Sequence, residues 1–215
     1  MEIVDPRVED YMRALLVRYD EPVLLEMEAE GAERGFPIIG RLVGVTVELL
    51  ARSVSAERVF ELGSGFGYSA YWFSRAVGPG GEVHCTDGDA ANRPKALGYL
   101  SRAGLAERVR WHVGDAVTKL GEVAGEFDVV FNDIDKLGYP GAWRAASERI
   151  RVGGFYLCDN VLWSGAVADP EADHGRDSKT MDAIVEHNRL VAEDERYVST
   201  IIPTRDGVFA ALRVA

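Results

Sequence analysis

Residues 58–70 read RVFELGSGFGYSA, and the order of textures in that stretch decides the fold. A β-prone run (58–63) ends in three closely spaced glycines, Gly63, Gly65 and Gly67, and the chain then turns helical over 68–77. Glycines at that spacing permit a tight strand-to-helix turn and let a ligand approach the backbone. The same alternation recurs downstream. The runs EVHCTD (82–87), VRWHVGD (109–115), FDVVFND (127–133) and GFYLCDN (154–160) read as strands, and the stretches 90–103, 115–123 and 140–150 as helices. This pattern predicts right-handed βαβ units on a parallel sheet. A further helix is expected over 178–193, where Met181, Ile184, Val185 and Val191 supply the apolar positions. The chain then runs through YVSTIIP and GVFAALRV with only TRD between them. So short a connector permits an antiparallel hairpin and forbids a parallel crossover.

Upstream, the texture is helical. Val8, Tyr11, Met12, Leu15 and Leu16 mark one stripe of a first helix, Val23, Leu24 and Met27 a second. Ile39, Leu42, Val43 and Leu50 mark a third, with Pro37 near its start. No repeat, low-complexity tract or linker interrupts the chain, so one domain is expected over 1–215: a helical N-terminal extension (1–52) and a Rossmann-like core (53–215). A length of 215 residues is ample for one α/β core. The net charge of −11 argues against nucleic acid as a partner. No uncharged apolar run reaches the roughly 20 residues of a membrane span. The segment MEIVDPRVEDYM lacks the apolar centre of a signal peptide, and a cytoplasmic location is the expectation. Cys85 and Cys158 lie in apolar strand runs and read as buried free thiols.

The glycine loop is not the dinucleotide fingerprint, which would need glycine where Tyr68 stands. That counts against an NAD(P)-dependent oxidoreductase. Instead an acid precedes the glycines (Glu61) and another ends the next strand (Asp87), the pattern of S-adenosylmethionine sites. This cofactor carries a sulfonium, an ammonium, a carboxylate and a ribose. Carboxylates suit its ammonium and diol, while a helix N-terminus and Ser69 suit its carboxylate. Asp87 is favoured for the diol, with Asp89 as a competitor that would equally cap the following helix. Asp115 either accepts from the adenine amine or caps the helix after it.

Two further runs, VVFNDIDK (129–136) and FYLCDNVLW (155–163), end in polar clusters. Ligands of doubly wound sheets bind beyond the carboxyl ends of the strands. If these strands are neighbours, Asp133, Asp159 and Asn160 converge and suit a hard cation, Mg²⁺ or Mn²⁺, better than zinc. Taken singly, each acid would be a helix cap or turn former.

The sequence resembles the cation-dependent catechol and caffeoyl-coenzyme A type O-methyltransferases. ELGSGFGYSA, FNDIDKLGY, CDNVLWSGAV and IIPTRDGVFAAL occur in that family's order, from about residue 35 onward. The resemblance implies a class I methyltransferase fold with a mostly parallel seven-stranded sheet and a C-terminal antiparallel hairpin. It implies Asp133, Asp159 and Asn160 as ligands of Mg²⁺ (or Mn²⁺ or Ca²⁺), and Lys136 as catalytic base. Glu61, Gly63, Gly65, Gly67, Ser69, Asp87, Asp115 and Asp133 would form the cofactor pocket. A small catechol-type acceptor and a homodimer follow from the same resemblance; Trp163, after the Asn160 ligand, reads either as a wall for the aromatic acceptor or as a packed core residue. Asn132 and Ile134 depart from the family's usual residues. The polar stretch 164–179 reads as a loop over the site, with Asp173 and His174 as solvated loop residues. The rival within the class is a methyltransferase acting on nucleic acid or protein; NDID stands where a DPPY-like tetrapeptide would serve base methylation.

Overall fold

Both faces of the central strands are apolar, so the sheet they form must be covered twice. The computed structural model describes residues 3–169, 175 and 177–215. Along β1 (Arg58–Leu62), Val59 joins one core layer while Phe60 and Leu62 join the other. The first layer is closed by α3 (Gly40–Ser53) and α4 (Tyr68–Val77), which bury Val43, Val47, Ala51, Tyr71 and Trp72. The second is closed by α6 (Ala116–Glu122), α7 (Tyr139–Ala146) and α8 (Ser178–Glu193), through Leu120, Trp143, Ile184 and Val191.

The remaining strands are β2 (Glu82–Asp87), β3 (Val109–Val113), β4 (Phe127–Asn132), β5 (Ile150–Cys158), β6 (Tyr197–Ile202) and β7 (Val208–Arg213). Seven strands lie in the order β3-β2-β1-β4-β5-β7-β6. β1 to β5 pair in parallel, whereas β7 runs antiparallel to both β5 and β6, which is the expected hairpin. Strand order reverses between β1 and β4, so the crevice beyond their carboxyl ends is where a ligand would lie. Helix α5 (Asn92–Arg102) follows β2.

Two boundaries need correction. The helix placed at 140–150 stops at Ala146, and β5 begins at Ile150 rather than residue 154. The Phe127 amide donates to the Arg149 carbonyl (2.8 Å), and Arg149 Nη1 donates to the Leu120 carbonyl (2.8 Å), which pulls the chain into the sheet early. The apolar stripe of α1 (Pro6–Ala14) forms but is not covered: Val8, Tyr11 and Leu15 stay exposed. Helix α2 (Pro22–Arg34), by contrast, buries Leu24 and Met27. No helix among the described residues is long and apolar enough to cross a membrane.

Candidate active site

Backbone pairing carries the site residues one step past the strands. The Asp133 amide donates to the Leu62 carbonyl (2.9 Å), and the Asp159 amide to the Asn132 carbonyl (3.1 Å). Asn132 and Cys158 are register partners on β4 and β5, so the next residues, Asp133 and Asp159, emerge side by side. Gly63 lies on the other flank of Asp133 with φ +85°, and a Cβ there would sit 2.7 Å from the Asp133 carbonyl oxygen. Only glycine satisfies both conditions. These ends open into a cavity of about 820 Å³, at the upper part of the range for small-molecule sites.

Of the expected cofactor residues, Gly63, Gly65, Ser69, Asp87, Asp115 and Asp133 line this cavity. Asp87 Oδ1 accepts from the Asp89 amide (2.7 Å) and from Asn92 Nδ2 (3.1 Å). Asp89 lies off the lining and accepts from the Ala91 amide (2.9 Å), closing the turn that precedes α5. Both alternatives for Asp115 hold at once: it lines the cavity and caps α6, accepting from the Thr118 amide at 2.8 Å. Gly67 lies off the lining as the N-cap of α4, with φ 93°.

Glu61 also corrects an expectation. It is fully buried behind the lining, because β1 alternation turns it toward the α4 layer. Its Oε2 accepts from the Ser64 hydroxyl (2.9 Å) and the Cys85 thiol (3.2 Å). Burial raises its carboxyl to about 7, with a smaller push from Asp133; the hydroxyl and thiol groups of Ser69, Cys85 and Ser64 offset part of this. A carboxyl raised on folding stabilises the fold below its unfolded value and loses that contribution as pH rises through the folded value. Here the loss falls between about 4.5 and about 7 and amounts to roughly 3 kcal/mol. Glu61→Gln removes the titration. Its stability relative to the parent is expected to rise from pH 5 to pH 8 by up to about that amount, read by urea unfolding of the ligand-free protein. A difference independent of pH would show that Glu61 does not titrate there.

Asp133 and Asp159 are also raised. Burial is the main cause for both, and for Asp159 the Asp133 charge comes second; Lys136 and Arg205 oppose the shift. Asp159 Oδ1 is buried without a hydrogen-bond partner. Asn160 lines the cavity with φ 58°, a left-handed conformation that asparagine tolerates better than most residues. Among the described residues no three His, Cys, Asp or Glu side chains gather as a metal cluster. A cation here would therefore rest on two carboxylates, the amide of Asn160 and open positions. The donor set and the orphaned oxygen fit a hard divalent ion.

Lys136 opens a short 3-10 turn capped by Asp135. Its Nζ stands 3.5 Å from Asp133 Oδ1 and 5.3 Å from the centroid of the Tyr139 ring. Of the two readings of Trp163, the structure favours the core: it packs against the α6–α8 layer and lies off the cavity lining. Asp173 and His174 lie outside the described residues.

The sequence reading missed the roof. Phe36, Ile38 and Ile39, from the segment between α2 and α3, line the cavity with Glu28 and Arg205. Tyr68 donates to Glu28 Oε1 (2.7 Å), and Arg41 binds the same carboxylate through Nε (3.1 Å) and Nη2 (2.8 Å), which fixes α2 against the core. Nothing local marks residues 36–39 as site residues, because contacts 167 positions apart place them there.

A family model described as O-methyltransferase matches residues 18–214. The chain is 32% identical over 174 residues to a catechol O-methyltransferase of Niastella koreensis, covering 78% of this chain and 76% of that protein. It is 28% identical over 179 residues to caffeoyl-CoA O-methyltransferase 1 of Eucalyptus globulus, covering 80% and 73%. Among solved structures, an O-methyltransferase of Streptomyces achromogenes involved in tomaymycin synthesis, in complex with SAM, superposes with a TM-score of 0.85 at 29% identity over 97% of this chain and 96% of that one. The chain belongs to the O-methyltransferase family, in the company of the catechol and caffeoyl-CoA enzymes.

Proposed function

We propose that this O-methyltransferase moves the methyl group of S-adenosylmethionine to one hydroxyl of a small catechol-type acceptor, with a divalent cation held by Asp133, Asp159 and Asn160. The observation that carries this reading is the side-by-side placement of Asp133 and Asp159 in the cavity that also holds the glycine loop. The charge of the cavity supports it. Glu28, Asp87, Asp115, Asp133, Asp135 and Asp159 line it against one guanidinium among the described residues, which favours the cationic sulfonium and a metal ion. The names of the similar enzymes point the same way for donor and acceptor.

The residues divide the work. Gly63 and Gly65 line the space for the donor, and Asp87 accepts from its ribose diol, an assignment supported by the placing of Asp89 off the lining. Asp133, Asp159 and Asn160 hold the cation, which when bound lowers the pKa of a chelated phenol from its usual value of about 10. Lys136 takes the phenolic proton. The phenolate oxygen then forms its bond to the methyl carbon as the carbon–sulfur bond breaks, leaving the electron pair on sulfur. The walls hold donor and acceptor in line. Two buried free thiols, Cys85 and Cys158, support a reducing, cytoplasmic setting. The uncovered α1 stripe supports self-association as a homodimer.

The test is methyl transfer to catechol, caffeate, caffeoyl-CoA and a lone phenol, each with Mg²⁺ or EDTA, read by mass spectrometry. Methylation of the vicinal diols alone, lost with EDTA, is the expected result; equal turnover in EDTA would sink the cation's role. Lys136→Met is expected to lower kcat by roughly 10²- to 10⁴-fold while the Kd for S-adenosylmethionine holds. Turnover within threefold of the parent would remove Lys136 as the base.

A further inference from the structure

Arg205 is the one cationic side chain on the cavity lining among the described residues, and the reaction above does not use it. Its backbone sits at φ 52°, in the left-handed region that residues with a Cβ avoid. Its Nη1 donates to the carbonyl of Ile38 (2.8 Å) and to that of Ile39, which pins the β6–β7 connector beneath the roof. Its Nε and Nη2 make no hydrogen bond with the described residues. A guanidinium offers its donors as a planar fork matched to a carboxylate.

Asp133 and Asp159 feel its charge, yet neither forms an ion pair with it. A residue whose whole task was to neutralise those acids would pair with one of them. Instead the two carbonyls hold one nitrogen, and the rest of the fork is left for another partner. The sheet order separates this position from the cofactor acids. Arg205 lies at the β7 side of β5, whereas Asp87 and Asp115 lie beyond β2 and β3, across β1 and β4.

We propose that Arg205 recognises a carboxylate on the methyl acceptor, which makes acidic vicinal diols such as dihydroxybenzoates and dihydroxycinnamates the preferred substrate class. This deepens the diol reading and rests on it. The methionine carboxylate of the donor has the same chemistry, and the test separates the two sources.

With Mg²⁺ and saturating S-adenosylmethionine, kcat/KM for 3,4-dihydroxybenzoate and for catechol is measured in the parent, Arg205→Gln and Arg205→Lys. The dihydroxybenzoate-to-catechol ratio is expected to fall tenfold or more in Arg205→Gln, through KM, and to recover in part in Arg205→Lys. An unchanged ratio would overturn the proposal. So would a loss of affinity for S-adenosylmethionine by the same factor in calorimetry, which would assign Arg205 to the donor. Calorimetry of benzoate and benzamide with the parent protein covers the case in which Arg205→Gln does not fold. Benzoate is expected to bind at least tenfold tighter, and equal binding rejects the proposal. If no diol is methylated the proposed reaction fails, while the benzoate preference still decides Arg205.

Discussion

Asp159→Asn is expected to lower kcat/KM for a catechol-type acceptor by about 10³-fold or more, roughly 4 kcal/mol of transition-state stabilisation. It is expected at the same time to stabilise the metal-free protein at pH 8. Both effects come from one arrangement. Asp133 and Asp159 are set side by side, and burial and mutual repulsion raise the carboxyl of Asp159 well above its usual range. In the absence of a cation that pair opposes folding once ionised. Its contribution is favourable below the unfolded carboxylate value near 4 and is lost as pH rises through the raised folded value. Asparagine cannot ionise, so the gain of the variant should be present at pH 8 in EDTA and vanish toward pH 4. Mg²⁺ should raise the unfolding midpoint of the parent and fail to raise that of the variant. Full turnover in Asp159→Asn would remove the carboxylate from the reaction, and an identical midpoint at pH 8 would show that the two acids do not oppose each other.

Gly63→Ala is expected to cost about 3 kcal/mol or more of stability and to weaken S-adenosylmethionine binding at least tenfold. The backbone at Gly63 has φ +85°, which costs an alanine roughly 1–2 kcal/mol by itself. The new methyl would also meet the Asp133 carbonyl oxygen at 2.7 Å and its carbon at 3.0 Å, and backbone cannot swing aside as a side chain does. Either the loop or Asp133 must shift. Gly80→Ala is the control, because a Cβ there meets nothing within 4 Å, and it is expected to stay within about 0.5 kcal/mol of the parent. Urea unfolding and cofactor titration of both variants decide the matter. A Gly63→Ala protein as stable as Gly80→Ala, with unchanged affinity, would mean that the close approach to Asp133 is unimportant.

The parallel sheet was legible because each strand–loop–helix unit is written locally: an apolar run, a punctuating glycine or acid, then a helical stretch. Neighbouring strands made the meeting of Asp133 and Asp159 legible too, since acids at the same ends of adjacent parallel strands must converge. Local pattern failed where a residue's role depends on what covers it. Glu61 carries the family pattern, but strand alternation and α4 turn it away from the cavity. Trp163 follows the polar cluster in sequence, but the chain takes it into the core layer rather than onto the lining. The roof segment 36–39 looks like an ordinary connector between helices, and only tertiary packing onto the β6–β7 connector gives it a place in the site. The stripe on α1 was visible, but periodicity alone does not say whether a stripe is buried.

The bonds from Arg205 to the Ile38 and Ile39 carbonyls join positions 167 and 166 residues apart. They set a schedule for biosynthesis. At translation rates of about 5–20 residues per second, the roof segment leaves the ribosome roughly 8–30 seconds before the arginine that fastens it. During that interval strands β1 to β4 can pair and the glycine loop can form, but the cavity has no clasp. The tie between roof and connector is therefore among the last contacts of the site that synthesis makes possible. A chain shortened before residue 205 would keep most of its sheet and still have an unfastened site.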